Sequence, residues 1–182
     1  MKFKLILFVI LGLVLLGGCG GGSSSSSTSA EENATKNDAE PIELNTFDLE
    51  NKVVTLNNGV KMPILGIGTY ALSDSQAENS VYWALKAGFR LIDTAKIYGN
   101  ESGVGRGIKR AVDEGIVTRS EIFVTTKMWT SDYSNGEAAI ETSLNNLGLD
   151  YIDLMILHHS QPSNDAVAYK SLENALNEGK LR

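Results

Sequence analysis

The chain has 182 residues, enough for one domain of ordinary size and too few for two. Apolar residues make up 42% of it and can fill a core, while 22 acidic against 16 basic residues give a net charge of −6. This acidic balance, without any cluster of Lys and Arg, argues against a nucleic-acid partner, because phosphate binding needs a basic face. We assign no metal site to the sequence.

The N-terminus has the pattern of an export signal. Two lysines, Lys2 and Lys4, precede the apolar run 5–16, which is short for a transmembrane span and has the length of a signal-peptide core. The next residues end in Leu-Gly-Gly-Cys and resemble the bacterial lipobox, whose cysteine becomes the lipidated first residue of the mature protein. We therefore predict a signal peptide over 1–18, a lipid anchor at Cys19 and a place in the bacterial cell envelope outside the cytoplasm. An uncleaved anchor helix with an incidental cysteine is the alternative.

Residues 19–50 follow the predicted signal peptide and contain few large apolar side chains. Such a segment cannot offset the entropy lost on ordering, so it is typical of a disordered tether. We place the folded domain at 51–182.

The domain opens with a short hairpin and a first strand–helix unit. Residues 53–62 alternate around Asn-Asn-Gly, which is turn chemistry for a β-hairpin. The apolar run 63–68 predicts a strand, and a capping box over 75–78 predicts the start of a helix that ends at Gly88.

The same order of strand, loop, helix and glycine then occurs three more times. We predict strands over 89–92, 122–126 and 151–157, helices over 100–114, 136–147 and 165–178, and helix-ending glycines at Gly115, Gly148 and Gly179. This repeat length is that of βα units in a parallel sheet. Four units are compatible with half of a barrel or with a small doubly wound sheet, and periodicity alone does not choose. A Rossmann site is poorly supported, because the first strand lacks a following G-x-G-x-x-G.

Polar side chains stand where the predicted strands end: Thr69 and Tyr70, then Asp93, Lys127 and His158. Tyr98 lies in the loop after Asp93. Each of these alone has an ordinary explanation, such as a turn cap, a half-buried ring, a solvated strand end or a core histidine. In a βα barrel all these ends open on one face, so together they predict a proton-transfer site.

These motifs resemble those of the aldo-keto reductases. The likeness runs through LNNGVKMPILGIGTY, GFRLIDTAKIYGNESGVGRGIKRA, VTTKMWTSDY, YIDLMILHHSQP and NEGKLR. It implies an α/β fold of the (β/α)8 TIM-barrel type, of which an N-terminal hairpin and the first four βα units are present. It also implies a small carbonyl substrate and NADPH as cofactor.

The resemblance assigns roles residue by residue. The catalytic set is Asp93, Tyr98, Lys127 and His158; cofactor contacts fall on Gly68, Thr69, Tyr70 and Asp93; substrate contacts fall on Tyr70, Trp129 and His158. Trp129 and Tyr70 would form opposite walls of the substrate pocket, although a ring that covers a strand end explains Trp129 equally well.

The chemistry of the set can be stated on physical grounds. Hydride addition to a carbonyl creates an alkoxide, and a neutral phenol such as Tyr98 can supply the missing proton if the phenolate it leaves is favoured. An ammonium at Lys127 favours that phenolate, and Asp93 would pair with Lys127 to compensate its burial. His158 would donate to the carbonyl oxygen and orient the substrate.

Other residues of the motif receive structural roles. We expect Lys96 to be solvated, and we expect Glu101, Gly103 and Gly105 to serve the helix start and its packing on the sheet. The family often follows its histidine with Trp and Pro, whereas here His159-Ser160-Gln161 intervenes. Substrate preference at that edge is therefore not predicted.

A complete barrel needs about 250 residues, whereas the matched part here is roughly half of that. The family's later motifs, which grip the nicotinamide and the phosphates, match nothing in this sequence. Three interpretations follow. The chain is a truncated or interrupted reading of a full reductase, or it pairs with a second half-barrel or another copy of itself. In the third, it is a remnant that acts as a non-catalytic surface lipoprotein and interaction scaffold.

Overall fold

The computed structural model describes residues 46–182. The predicted signal peptide, Cys19 and most of the predicted tether lie outside the described residues. None of the helices within 46–182 has the length and apolar character needed to cross a bilayer.

A small antiparallel sheet comes first and contains three strands, β1 (Phe47–Asp48), β2 (Val53–Thr55) and β3 (Lys61–Pro63). The predicted hairpin is β2–β3, and its turn closes through a 2.8 Å hydrogen bond from Leu56 N–H to the Val60 carbonyl. Strand β1 was not predicted. It lies inside the segment assigned to the tether and pairs with β2 of the predicted domain. Ordered structure therefore begins before the predicted boundary at 51. A two-residue strand leaves no periodic pattern from which it could be predicted.

The rest of the described chain consists of four βα units. Their elements are β4 (Gly66–Gly68), α1 (Asp74–Lys86), β5 (Leu91–Asp93), α2 (Glu101–Asp113), β6 (Phe123–Met128), α3 (Gly136–Leu147), β7 (Leu154–Leu157) and α4 (Asp165–Asn177). Short 3₁₀ turns at Lys96–Tyr98, Arg119–Glu121 and Thr130–Asn135 join some of them. The four predicted helices all form, with ends that differ from the predictions by a few residues at most.

The sheet order decides between the two architectures that the sequence left open. The four strands are parallel and follow chain order, β4-β5-β6-β7, and each helix packs against the next one in sequence. A doubly wound sheet would reverse its strand order at a switch point. Sequential order with neighbouring helices is the arrangement of a barrel wall. Leu181 forms a parallel bridge with Ile152, which lies just before β7.

The capping box of α1 differs from the prediction. The N-cap is Ser73, whose hydroxyl accepts from the Gln76 N–H at 3.3 Å, while the Gln76 side chain accepts from the Ser73 N–H at 2.9 Å. The predicted box at 75–78 is therefore displaced by two residues. Both stretches satisfy the Ser-x-x-Glu/Gln pattern, and only the extended backbone at Ser73 marks the true cap.

The glycines of α2 also have a different role from the one expected. A Cβ on Gly103 would lie 2.0 Å from the Asp74 carbonyl oxygen, and one on Gly105 would lie 2.2 Å from the Leu147 carbonyl oxygen. These contacts are with α1 and the end of α3. The glycines therefore allow close packing between helices, where packing on the sheet was predicted.

The core lies between the parallel sheet and the helices, in one cluster that includes Val81, Ile92, Val104, Ile108, Val124 and Ile140. The other face of the sheet is partly open in the described residues. Ile156, the register partner of Lys127, is 40% exposed there. Coverage of this face by a second half-barrel or a second copy stays a prediction.

Candidate active site

The carboxyl ends of the parallel strands bring the predicted catalytic side chains to one edge. Asp93 is the last residue of β5, Lys127 is the penultimate residue of β6, and His158 directly follows β7. The backbone N–H of His158 donates to the Met128 carbonyl at 3.0 Å, which extends the β6–β7 pairing up to the histidine. Positions that are distant in the sequence therefore become neighbours because parallel strands end on one side.

Lys127 is the centre of the cluster. Its Nζ lies 2.9 and 2.8 Å from the two carboxylate oxygens of Asp93, 2.8 Å from the Thr94 carbonyl oxygen and 3.4 Å from the Tyr98 hydroxyl. The Lys127 side chain is 14% exposed and that of Asp93 is 37% exposed. The charge of the ammonium is thus compensated by a carboxylate, and the ammonium still contacts the phenol. Because the ammonium donates the hydrogen bond to the phenol oxygen, the hydroxyl hydrogen of Tyr98 remains free to donate elsewhere.

Tyr98 is held by a short turn. Its N–H donates to the Ala95 carbonyl at 3.0 Å, and the N–H of Gly99 donates to the Lys96 carbonyl at 3.1 Å. The turn is needed because a phenol five residues after Asp93 must fold back over the strand end to reach the ammonium. Gly99, with a φ of 68°, allows the chain to leave this turn and enter α2.

His158 stands edge-on to the phenol, with ring centroids 5.8 Å apart. Burial, together with the positive charge of Lys127, holds the pKa of this imidazole below its ordinary value of 6.5. A neutral imidazole carries one N–H donor, and its buried Nδ1 makes no hydrogen bond to any residue in 46–182. His158 therefore retains unused hydrogen-bonding capacity within this part of the chain.

Aromatic rings line both sides of this pair. Tyr70, which is 64% exposed, meets Tyr98 edge-on at 5.1 Å, and Trp129 meets His158 edge-on at 5.0 Å. His159 contacts the Trp129 ring at 5.2 Å. Tyr70 thus contacts one ring of the Tyr98–His158 pair and Trp129 contacts the other, while their role as walls of a substrate pocket stays a prediction.

Comparison with known proteins adds a family to this geometry. Residues 64–182 match the Aldo/keto reductase family. The chain belongs to this family. An "Uncharacterized oxidoreductase YtbE" of Bacillus subtilis is 43% identical over 131 residues, which cover 70% of this chain and 47% of that protein. The "NADPH-dependent aldose reductase GRE3" of Saccharomyces cerevisiae is 44% identical over 108 residues, 58% of this chain and 33% of that protein.

A solved aldo-keto reductase structure is also similar. The Bombyx mori aldo-keto reductase in complex with NADP matches with a TM-score of 0.66 and 36% identity, covering 71% of this chain and 48% of that chain. The chain thus spans about half the length of the Bacillus and Bombyx relatives, or less for the yeast one. Membership of the aldo/keto reductase family and the sequential parallel sheet assign the described part to a (β/α)8-type fold, of which it forms a half-barrel.

The residues that the aldo-keto reductase resemblance assigns to the cofactor differ from one another in exposure and in their hydrogen-bond partners. Gly68 is exposed, and a Cβ there would meet nothing within 4 Å, so its backbone borders open space. Thr69 is fully buried, and its hydroxyl donates to Thr94 Oγ1 at 2.8 Å. Asp93 is engaged by Lys127. Contacts of these residues with a nicotinamide cofactor stay predictions, and the hydroxyl of Thr69 is already used inside the protein.

Asn100 is a site residue that sequence reasoning missed. It is 1% exposed, and its amide nitrogen donates to the Thr69 and Leu72 carbonyls at 2.8 and 2.9 Å. It thereby joins the loop after β4, which carries Tyr70, to the loop that carries Tyr98. A polar residue between the signature tyrosine and α2 was the available signal, but it was interpreted as part of the helix start.

Lys96 and Asp132 form a second contact that was not expected. Lys96 Nζ lies 2.5 Å from Asp132 Oδ2, and the two side chains are 31% and 18% exposed. The prediction of a solvated Lys96 is therefore wrong.

No group of three or more metal-ligating side chains is found within 46–182.

Proposed function

We propose that the protein is an oxidoreductase that reduces an aldehyde or ketone to an alcohol, with NADPH as hydride source and Tyr98 as proton donor. The observation that carries this proposal is the position of the Lys127 ammonium, which contacts both Asp93 oxygens and the Tyr98 hydroxyl. Membership of the aldo/keto reductase family supports the reaction class, and the NADP complex of a relative supports the cofactor.

The contacts of Tyr98 support its proposed role as proton donor. As its proton moves to the developing alkoxide, negative charge collects on the phenol oxygen, 3.4 Å from an ammonium. At such a distance the attraction amounts to about 5 kcal/mol for an effective dielectric constant of about 20. The ammonium therefore stabilises the state in which the proton has left.

Asp93 has a supporting role in this scheme. A lysine that is 14% exposed loses much of its hydration, and burying an ammonium is costly unless an opposite charge and hydrogen-bond acceptors compensate it. The carboxylate and the Thr94 carbonyl compensate this burial and fix the direction of the lysine side chain. Lys127 is thereby held in contact with Tyr98.

His158 would orient the carbonyl. Its lowered pKa keeps the ring neutral near pH 7, so that it offers one N–H without adding a positive charge beside Lys127. A substrate oxygen placed between Tyr98 and His158 would receive hydrogen bonds from both. Trp129 and Tyr70 would contact the apolar part of the substrate on either side.

A bound nicotinamide would supply hydride to the carbonyl carbon. The open space at Gly68 and the exposed ring of Tyr70 fit a planar group at the strand ends. These residues and Asp93 would hold the cofactor, while the donor set of Tyr98 and His158 fits the oxygen of the carbonyl.

The experiment compares Tyr98→Phe with Tyr169→Phe in the full-length protein that carries this chain. Tyr169 lies on α4 and is 60% exposed, so it serves as the matched control. Tyr98→Phe should lower turnover by about 10²- to 10⁴-fold, because the proton donor is lost, and should leave NADPH affinity near normal. NADPH oxidation with a panel of aldehydes and ketones, and NADPH fluorescence titration, measure the two quantities. A Tyr98→Phe variant with full turnover contradicts the proton-donor assignment, and a protein that binds no nicotinamide favours the non-catalytic lipoprotein.

We also propose that Cys19 is lipidated and anchors the protein at the bacterial membrane, outside the cytoplasm. The lipobox-like sequence after an apolar run supports this. Cys19→Ala should move the protein from the membrane to the soluble fraction, because lipidation needs the thiol. Retention of the variant in the membrane fraction would favour an uncleaved anchor helix.

A further inference from the structure

The 3₁₀ turn that follows Trp129, Thr130–Asn135, touches the segments of two proposed catalytic residues at once. It begins just past the carboxyl end of β6, three residues after Lys127, and it leads into α3. The N–H of Asp132 donates to the Trp129 carbonyl at 3.0 Å, which closes the turn on the strand end. The turn is therefore fixed to the same strand that carries the ammonium.

Asp132 holds the turn of the proton donor. Its carboxylate lies 2.5 Å from Lys96 Nζ, and Lys96 is the first residue of the turn that ends at Tyr98. The Lys96 carbonyl accepts from Gly99, so both ends of that short turn are tied together. A restraint on Lys96 therefore also restrains the phenol two residues later.

Tyr133, the next residue, holds the segment of the histidine. Its ring is fully buried, and its hydroxyl donates to the His159 carbonyl at 2.6 Å. The same hydroxyl accepts from the His159 N–H at 3.3 Å. One phenol thus satisfies both backbone groups of the residue beside His158.

Neither contact has another evident purpose in the proposed reaction. Lys96 is paired, so it is not a free cation that awaits an anionic substrate, and the hydroxyl of Tyr133 is consumed by backbone groups. Both contacts originate from adjacent residues of one short turn. One contact restrains the turn of Tyr98, and the other restrains the segment of His158. The separation between the Tyr98 hydroxyl and the His158 imidazole decides whether one carbonyl oxygen can accept hydrogen bonds from both.

We propose that Asp132 and Tyr133 are positioning residues that set the separation between Tyr98 and His158 through one shared turn. This inference rests on the proposed carbonyl reduction. Asp132 acts through Lys96 and Tyr133 acts through the backbone of His159. Neither touches the reacting atoms, so their loss disturbs geometry and leaves the chemical groups in place.

The decisive variants are Asp132→Asn, Lys96→Gln and Tyr133→Phe in the full-length protein that carries this chain. The control is Lys109→Gln, because Lys109 forms an exposed ion pair with Asp113 on α2, with side-chain exposures of 73% and 58%. Each decisive variant should lower kcat about tenfold, since small misplacements of reacting groups are costly, while KM and cofactor affinity stay near the parent values. The control should change neither.

A double-mutant cycle sharpens the test. If Asp132 and Lys96 act as one contact, the double variant Lys96→Gln/Asp132→Asn should be no slower than either single variant. Independent, multiplying losses would overturn the shared role. Unchanged kcat in Asp132→Asn and Lys96→Gln would overturn it as well, even if Tyr133→Phe fails to fold.

A second readout does not depend on turnover. The nuclear Overhauser effect between ring protons of Tyr98 and His158, whose centroids lie 5.8 Å apart, should weaken in the three variants and persist in Lys109→Gln. If the parent protein reduces no carbonyl, the proposed function fails, and this measurement still decides the positioning role. A ring–ring effect that is unchanged in all three variants overturns the inference.

Discussion

The two ends of the parallel strands each hold a carboxylate paired with basic side chains, but the number and kind of partners differ. At the amino end, Asp153 is completely buried; its Oδ2 accepts from the Val124 N–H at 2.9 Å and from Arg119 at 2.8 Å. Arg182 lies 2.6 Å from its Oδ1. At the carboxyl end, Asp93 keeps 37% of its side chain exposed and shares a single lysine with a phenol.

This difference separates stability from chemistry. Arginine does not release its proton at any ordinary pH, so the arginines of the amino-end cluster offer no proton donor, and the cluster holds β6, β7 and the chain after α4 together. The carboxyl-end cluster combines a lysine, a phenol and a histidine, all of which can exchange protons. It is also the end at which βα barrels place their active sites.

The largest effect should come from Lys127→Met. Loss of the ammonium removes the charge that stabilises the Tyr98 phenolate, so kcat should fall about 10³-fold, or about 4 kcal/mol in the barrier. The free energy of unfolding should change by only about 1 kcal/mol, because Asp93 can be solvated in place. Steady-state kinetics and urea denaturation of the full-length protein measure both. A Lys127→Met variant that is strongly destabilised yet retains its turnover would show that the carboxyl-end cluster serves stability and not proton transfer.

Asp153→Asn should show the opposite behaviour. Removal of a buried charge leaves Arg119 and Arg182 without their partner, and the unfolding free energy should fall by about 3 kcal/mol. Turnover of the folded fraction should remain near normal, because the carboxyl-end contacts are intact. Urea denaturation and kcat under stabilising conditions test this. A stable variant with impaired turnover would show that the amino end acts on the chemistry.

The smallest effect concerns pH. Burial, then the charge of Lys127, lowers the pKa of His158 below 6.5, so the unfolded chain binds its proton more readily than the folded protein. The stability that neutral His158 contributes is therefore complete above about pH 6.5 and declines as the pH falls below that value, until the folded imidazole is itself protonated. Urea denaturation between about pH 7.5 and 5.5 should show this decline in the parent and a weaker one in His158→Gln. Equal slopes in the two proteins would contradict it.

Much of the fold could be predicted because its signals are local. Apolar runs, helical periodicity and the glycines after the helices predicted all four helices and the later strands with small boundary errors. The choice between a barrel and a doubly wound sheet could not be predicted from periodicity, since both use the same βα unit. Strand order settled it, and strand order depends on contacts between distant segments.

The candidate site divides along the same line. Asp93, Tyr98, Lys127 and His158 could be found because each stands at a strand end or within a continuous motif. Asn100 and Asp132 were missed because their roles exist only through loops that meet in space, over separations of 31 and 36 residues. Lys96 was misjudged for the same reason, since its partner lies in another βα unit.

The close packing of α2 at Gly103 limits which substitutions this helix can accept. Gly103 lies against the Asp74 carbonyl, three residues after Asn100 and five after Tyr98. A bulkier residue there would force the helix outward, and only Gly99 and Asn100 separate the first residue of this helix from the turn that ends at Tyr98. A substitution at Gly103 is therefore expected to disturb the packing of α2 on α1 and the placement of Tyr98 together.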